Sequence, residues 1–193
     1  MNTLARYALC LLAGLAVGLA AAWASVRGGG LSGEVRNGPW STARTFGTSD
    51  AGLLTRARVA VGGLLALPAR EAMYFTARTD SAGRALDARC AYVVDVPPLP
   101  SRWWSVTVYT PAGRLPDLPD GRYSVGSGSP PNRGTHTRFG VGQGWEGGEM
   151  IPQLRFAAPG PFELTLRAYH PGPALLDGPE RVPLPTIERR GCA

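Results

Sequence analysis

The chain has 193 residues, among them 26 glycines and 18 prolines, and its net charge of +6 comes from 20 arginines against 14 acidic residues, with no lysine. The length fits one domain of ordinary size, the 44% hydrophobic content argues against wholesale disorder, and the glycine and proline content favours short strands joined by turns over a helical bundle. The absence of lysine excludes Schiff-base chemistry, a Walker-type phosphate loop and a lysine general base.

An uncharged segment rich in leucine and alanine runs from residue 7 to residue 26. About twenty apolar residues are enough to cross a bilayer as a helix, and Trp23 lies where an aromatic ring can sit at the lipid headgroup level. We predict that residues 7–26 form a transmembrane signal anchor, with residues 1–6 as a short cytoplasmic N-terminus. Residues 27–39, which are rich in glycine, are predicted to be a flexible tether to a domain over residues 40–193.

Cleavage of this segment as a signal peptide is the alternative, because Ala22-Trp23-Ala24 has the small-x-small form of a cleavage site. The length of the apolar run and the thin basic region before it favour the anchor. Arginines flank both ends of the run, at Arg6 and Arg27, so the positive-inside rule does not decide the orientation.

One helix and about six strands are predicted beyond the tether. Apolar residues recur at helical spacing between Asp50, a favourable N-cap, and Leu67, and Pro68 ends the helix. Apolar and polar residues then alternate with a period of two in short runs, which is typical of half-buried strands. The predicted strands cover residues 73–78, 90–96, 103–109, 122–125, 135–141 and 162–169. The tail from His170 is predicted to be extended. The fold class is therefore mainly β, an antiparallel β-sandwich with one packed α-helix.

Three cysteines bear on the cellular compartment. Cys10 lies inside the apolar run, whereas Cys90 and Cys192 lie in the domain. The last two are either buried free thiols or a disulfide that pins the C-terminal tail to the domain. A disulfide requires an oxidising compartment such as the bacterial periplasm, and closing a loop of about 100 residues would stabilise the fold by about 4.7 kcal/mol. We predict the disulfide, and with it a bacterial inner-membrane protein whose domain lies in the periplasm.

The arginines are scattered along the chain, and the only adjacent pair is Arg189-Arg190. Nucleic-acid-binding proteins concentrate their positive charge on one face or helix, so we predict no nucleic-acid partner. With two histidines and no Cys-x-x-Cys pair, we also predict no metal and no cofactor. A calcium site built from carboxylates in the Asp117–Asp120 turn is the alternative.

Polar and aromatic side chains within or beside the strands indicate a binding groove. Four aromatic rings would line it, and arginines would meet a carboxylate or a phosphate group. The candidate ligand-binding residues are Arg78, Asp80, Trp103, Tyr109, Arg122, Tyr123, Arg167 and Tyr169. The alternative is structural: Arg78–Asp80 or Arg167–Glu163 would be local ion pairs on a solvated face, and the aromatic rings would belong to the core.

Catalysis is the competing class of function. Nucleophilic hydrolysis would need a serine with His136 and Asp117 or Asp120, or with His170. Paired carboxylates could cleave glycosides, and the candidates are Asp87, Asp95, Glu146 and Glu149. No spacing holds these residues together, and Gly126–Ser129 lacks the strand-to-helix setting of a nucleophile elbow. We therefore predict no catalytic residue, and an envelope hydrolase acting on an ester or glycan is the alternative.

An ordered series of short motifs resembles the domain-of-unknown-function 1214 family. The motifs are Tyr74–Asp80 with Gly83 and Leu86-Asp87, Tyr92, Pro97-Pro98, Trp104–Tyr109, Arg122–Ser124, and Pro159–Phe162 with Leu166–Tyr169. The resemblance covers about Trp40 to Arg190. The chain departs from it at Glu149–Pro152, where the family commonly has Asn-Trp-Leu-Pro, and at Trp103-Trp104, where it commonly has Phe-Trp.

The chain is similar to a short, membrane-anchored alphaproteobacterial subgroup of this family. That subgroup ends in a Gly-Cys pair like Gly191-Cys192 and has a cysteine at the position of Cys90, which supports the disulfide. The resemblance implies a β-sandwich of jelly-roll or Greek-key type and brings no established catalytic residue. We therefore expect a non-catalytic binding or interaction module of the cell envelope, whose partner is another envelope protein or a small envelope ligand.

Overall fold

The computed structural model describes residues 2–28, 34–43, 52–61, 67–129, 136–143 and 151–192. The helices are α1 (Thr3–Gly28), α2 (Leu53–Val61) and α3 (Pro173–Asp177). The strands are β1 (Glu34–Asn37), β2 (Trp40–Ala43), β3 (Ala72–Ala77), β4 (Cys90–Val96), β5 (Ser101–Tyr109), β6 (Ser124–Gly126), β7 (Thr137–Gly142), β8 (Gln153–Leu154), β9 (Glu163–Pro171) and β10 (Thr186–Cys192).

These strands form two sheets over one core. The first sheet is antiparallel, in the order β1-β2-β3-β9-β5-β6, and the second has the order β10-β4-β7-β8, with β7 and β8 parallel. Phe75 and Leu166 of the first sheet belong to the same buried cluster as Tyr92 and Phe139 of the second. The predicted mainly-β sandwich is confirmed, with one parallel pair added to the antiparallel pattern.

The alternation read from the sequence sets the two faces of the first sheet. Phe75 in β3 and Val106 in β5 both lie opposite Leu166 in β9, and all three side chains are buried in the shared core. Because successive side chains of a strand point to opposite faces, every second residue of these strands points away from that core. The polar halves of the predicted strands therefore meet on one surface.

The predicted flexible tether over residues 27–39 is wrong for residues 34–37. These residues form β1, which pairs with β2 in a hairpin. Gly38 begins the two-residue turn with a φ of +58°, which glycine adopts without a steric penalty. The Asn37 side chain donates hydrogen bonds to the carbonyl oxygens of Pro179 at 2.9 Å and Val182 at 2.7 Å. These bonds hold the hairpin to a distant part of the chain, which local sequence patterns cannot reveal.

The tail after His170 is not extended throughout, which is a second correction. It contains the short helix α3 and the edge strand β10, whose Ile187 is buried in the core. β10 pairs with β4 and places Cys192 opposite Cys90, with a bulge between Arg189 and Gly191. The predicted Cys90–Cys192 disulfide is present and links residues 102 positions apart.

Two of the predicted helical segments correspond to α1 and α2. Thr3–Val26 is 24 residues long with a mean hydropathy of 2.1, which is long and apolar enough to span a membrane. Of the predicted helix over residues 50–67, the structure describes α2, in which Thr55 is buried, and Leu67, which is not helical. The predicted N-cap Asp50 and residues 62–66 lie outside the described residues.

Candidate functional site

Strands β3, β9 and β5 are neighbours in the first sheet, so their outward side chains form one continuous surface, which we call the outer face. The register places Tyr74 and Ser105 on either side of Arg167. The outer face consists of Tyr74, Thr76, Trp103, Ser105, Thr107, Tyr109, Glu163, Thr165, Arg167 and Tyr169. It contains four of the eight predicted binding residues.

Arg167 lies at the centre of the outer face. Its guanidinium donates one hydrogen bond to Oγ1 of Thr107 at 3.2 Å and one to the hydroxyl of Tyr109 at 2.8 Å. The guanidinium carbon also lies 5.4 Å from the ring centroid of Tyr109 and 5.9 Å from that of Tyr74. Neutral groups and aromatic rings thus fix the orientation of this cation.

No acidic side chain in the described part of the chain forms an ion pair with Arg167. Glu163, its predicted alternative partner, instead accepts a hydrogen bond from Nε of Arg78 at 2.8 Å. Burial raises the pKa of the Glu163 carboxyl above its ordinary value, although the charge and hydrogen bond of Arg78 act in the opposite direction. Among the described residues, the positive charge of Arg167 is therefore not balanced by an acidic side chain.

Two aromatic rings adjoin Arg167 along the strands. Trp103 lies opposite Tyr169, with ring centroids 5.2 Å apart and planes inclined at 48°. Trp103 is 44% exposed, which is unusual for a tryptophan in a sandwich strand. The pair therefore leaves apolar surface exposed near Arg167.

The rest of the outer face is only partly open to solvent. Tyr74, Thr107 and Thr165 are buried although they point away from the core. The backbone N–H of Leu67 donates a hydrogen bond to the Tyr74 hydroxyl at 3.4 Å. Arg167 is half-buried in this setting, so its environment is less polar than that of an arginine on an open surface.

Asp80, another predicted binding residue, is held in a turn away from the outer face. Its Oδ1 accepts hydrogen bonds from the N–H groups of Ala82 and Arg84, and its Oδ2 accepts one from Nε of Arg84 at 2.8 Å. Burial alone raises the pKa of Asp80, but the hydrogen bonds and charge of Arg84, with the Ala82 amide, outweigh it and hold the pKa below its ordinary value. Asp80 orders the turn, and the predicted Arg78–Asp80 pair is not formed.

The remaining predicted residues are separated as well. Arg78 is at the margin of the outer face in its ion pair with Glu163. Arg122 is exposed and precedes β6, and Tyr123 packs against the shared core. The eight predicted residues thus form no single groove, and the arrangement centres on Trp103, Tyr109, Arg167 and Tyr169.

The two histidines are not members of the outer face, and each is in an exposed pair with an acidic residue. Nδ1 of His136 is 2.8 Å from Oδ1 of Asp95 beside the second sheet. His170 is 3.7 Å from Glu71 and has a φ of +45°, a left-handed backbone that is uncommon outside glycine. Among the described residues no three histidine, cysteine or acidic side chains are grouped to hold a metal ion. The carboxylate candidates Glu146 and Glu149 lie outside those residues.

Six members of the outer face were not among the predicted binding residues: Tyr74, Thr76, Ser105, Thr107, Glu163 and Thr165. The sequence feature that could have identified them is the alternation of apolar and polar residues. It puts Tyr74 with Thr76, Thr107 with Tyr109, and Thr165 with Arg167 on the polar side of three strands. That signal assigns each residue to a face of its own strand. It does not say that the three strands are neighbours.

Comparison with solved structures finds similarity to a bacterial protein. The VPA0106 protein from Vibrio parahaemolyticus superposes with a TM-score of 0.53 at 26% identity, over 73% of this chain and 36% of that one. An uncharacterised protein from Burkholderia cenocepacia has a TM-score of 0.42 at 16% identity, over 62% of this chain and 30% of that one. The chain thus spans about a third of the length of these structures. Comparison with curated protein sequences finds no match.

The family itself is identified by a sequence model. The model described as "Protein of unknown function (DUF1214)" matches residues 71–173, from the turn before β3 to the start of α3. This range includes all four central residues of the outer face and one of the two disulfide cysteines. Because the match covers more than half of the chain, the protein belongs to the DUF1214 family.

Proposed function

We propose that the protein is a membrane-anchored cell-envelope protein whose sandwich domain binds an anionic group of an envelope ligand at Arg167, without catalysis. One observation carries the proposal: Arg167 is half-buried at the centre of the outer face and has no acidic partner among the described residues. A partly desolvated cation without a counter-charge is costly. A bound carboxylate or phosphate would supply that charge.

The guanidinium of Arg167 has further N–H donors besides those that bind Thr107 and Tyr109. A guanidinium has five N–H donors in a planar fork, and the hydrogen bonds to Thr107 and Tyr109 use two of them. The remaining donors suit a bidentate contact with a carboxylate or phosphate. Because Thr107 and Tyr109 already orient the side chain, binding would require little further loss of side-chain freedom.

The neighbouring rings indicate the rest of the ligand. Tyr169 is two residues from Arg167 along β9, and Trp103 is two residues from Ser105, the partner of Arg167 on β5. A two-residue step along a strand is roughly 7 Å. A ligand with an anionic group and a flat apolar or sugar portion about that far apart would contact the guanidinium and the rings together.

The envelope location rests on two features. Thr3–Val26 is able to span a membrane by length and composition, and the Cys90–Cys192 disulfide is of a kind that persists in oxidising compartments. A bacterial inner-membrane anchor with the domain in the periplasm satisfies both. The alternative hydrolase is less favoured because the His136–Asp95 pair is exposed and lies beside the other sheet.

Binding can be tested by NMR titration with phenyl phosphate and benzoate, with benzyl alcohol as the neutral analogue. We expect both anions to shift the indole N–H signal of Trp103 and the Nε–H signal of Arg167, and benzyl alcohol to shift neither. Arg167→Gln removes the cation and should abolish the shifts. Arg122→Gln removes an arginine that is exposed beside β6 and should leave them unchanged.

A second variant separates loss of binding from loss of folding. Tyr109→Phe keeps the ring and removes the hydroxyl that orients Arg167, so it should weaken binding several-fold without unfolding the domain. Equal shifts from the anions and the neutral alcohol, or full anion binding by folded Arg167→Gln, would show that the outer face is not an anion site.

A further inference from the structure

A second surface feature lies on the other sheet, beside the disulfide. A cavity of about 450 Å³ is lined by Arg84, Asp87, Arg89, Arg189 and both cysteines, and we call it the disulfide cavity. It lies where β10, an edge strand, pairs with the first residues of β4. No residue of the outer face contributes to it.

The two cysteines of this bond differ in exposure. Cys90 is 5% exposed and belongs to the buried core cluster, whereas Cys192 is exposed at the end of β10. A bulge between Arg189 and Gly191 separates Cys192 from the regular part of that strand. Both cysteines line the cavity, and their difference in exposure favours attack of a thiolate at Cys192 over attack at Cys90.

Positive charge dominates the cavity wall. Arg89 forms a two-point ion pair with Asp87, with contacts of 3.1 and 3.0 Å, and Arg84 binds the fully buried carboxylate of Asp80. Arg189 is only 3.5 Å from that same carboxylate, and its buried Nε makes no hydrogen bond in the described structure. Three guanidiniums thus share two carboxylates, and all three arginines line the same cavity as the disulfide.

We propose that Cys90–Cys192 is a thiol–disulfide exchange site that prefers low-mass thiols carrying carboxylates. In the first step the thiolate of such a thiol attacks Sγ of Cys192. The Cys90–Cys192 bond breaks, its electron pair leaves on Sγ of Cys90 as a thiolate, and a mixed disulfide forms on Cys192. A second thiolate then displaces Cys192 as a thiolate and releases the oxidised small disulfide, so two thiols reduce one protein disulfide. The arginines attract the anionic thiol and stabilise both protein thiolates.

Exchange would open only the end of β10. The N–H of Ile187 donates to Oγ of Ser81 at 2.8 Å, and the N–H of Ser81 donates to the carbonyl of Ile187 at 2.9 Å. With Ile187 also buried, the strand before the bulge stays in place without the disulfide. The site is thus accessible in a folded protein.

The test measures reduction rates in the full chain in neutral detergent, in a Cys10→Ser background because Cys10 is a free, exposed thiol. Mercaptosuccinate, 2-mercaptoethanol and cysteamine supply negative, neutral and positive thiols, with each rate expressed per unit of thiolate. At low salt we expect mercaptosuccinate to reduce the folded protein at least about tenfold faster than cysteamine does. In 1 M salt this ratio of rates should fall towards the ratio measured for the urea-unfolded protein. Mass spectrometry should find the first mixed disulfide on Cys192.

Matched variants locate the effect. Arg89→Gln should lower the mercaptosuccinate-to-cysteamine ratio several-fold, whereas Arg36→Gln, an exposed arginine paired with Glu34 in β1, should not change it. Unchanged thermal unfolding would show that Arg89→Gln leaves the fold intact. A ratio equal to that of the unfolded protein, a first mixed disulfide on Cys90, or no effect of Arg89→Gln would overturn the proposal.

Discussion

Asp80 shows how one buried carboxylate can order a turn. Because its folded pKa is lower than the ordinary value of 3.8, it stabilises the fold above pH 3.8, and this contribution is lost as the pH falls through the folded pKa. We predict that Asp80→Asn lowers the free energy of unfolding at pH 7 by about 1–3 kcal/mol, since donors of Ala82 and Arg84 lose a charged acceptor. Urea denaturation measures this difference.

The pH dependence of that difference is the stronger check. It should be constant near neutrality and shrink once the pH falls below 3.8. A difference that stays the same down to the folded pKa would mean that the Asn variant disturbs packing rather than removing a charge.

Glu163 should respond to pH in the opposite direction. Its folded pKa is higher than the ordinary value of 4.5, so the folded state binds its proton more tightly than the unfolded state. The free energy of unfolding should therefore rise as the pH falls through the folded pKa towards 4.5. Glu163→Gln should remove this rise, as measured by urea denaturation at a series of pH values.

A variant of Arg78 provides the control for the predicted effect of Glu163 on stability. Its charge and hydrogen bond oppose the effect of burial on the Glu163 carboxyl, so Arg78→Gln should move the rise in stability to higher pH. Identical pH profiles for wild type, Glu163→Gln and Arg78→Gln would contradict this account of Glu163.

At the scale of elements, Gly142 is a position where β7 leaves no room for a side chain beside β4. It ends β7 opposite Ala91 with a φ of +107°, and a Cβ there would collide with the carbonyl oxygen of Cys90. We predict that Gly142→Ala destabilises the fold by at least about 2 kcal/mol, through backbone strain and displacement of β4. Gly128→Ala, where a Cβ meets open space, should change stability by less than about 0.5 kcal/mol. Equal unfolding midpoints in urea for the two variants would refute the prediction.

Strands with a regular alternation could be predicted from sequence, and strands held by distant partners could not. Five of the predicted strands coincide with β3, β4, β5, β7 and β9 to within a few residues, because each buries one apolar face. β10 carries one fully buried side chain, Ile187. Its sequence therefore lacks the alternation of apolar and polar residues by which a strand is recognised. It is a strand because β4 provides its hydrogen-bonding partners.

The candidate site was predictable in the same limited sense. Alternation assigns Trp103, Tyr109, Arg167 and Tyr169 to outward faces, but only the pairing of β9 with both β3 and β5 makes them one surface. Arg122 and Tyr123 were assigned to a strand that in fact begins at Ser124. Asp80 could have been recognised as a turn residue, since Asp-Ser-Ala-Gly is a run in which aspartate binds nearby backbone N–H groups.

At the scale of the whole molecule, α1 lies outside the core of the sandwich. No residue of α1 belongs to either described core cluster. We predict that removing residues 1–28, with a cleavable export signal in their place, leaves the urea unfolding midpoint of the purified domain unchanged within error. The wild-type chain should fractionate with membranes, and the shortened chain with the soluble periplasmic contents. A shortened chain that still sediments with membranes would show that another surface attaches it.

The central position of β9 has a consequence for the order in which the chain can fold. In the first sheet β3 and β5 are joined through β9, which follows both of them in sequence. During synthesis or export, the earlier strands therefore emerge with hydrogen-bonding edges that have no partner until residue 171 is available, and exposed edges of this kind promote aggregation. Folding must wait for the C-terminal third of the chain, and pairings so distant in sequence are slow to form. We therefore expect protection of the nascent strands until β9 has emerged to favour correct folding of this topology.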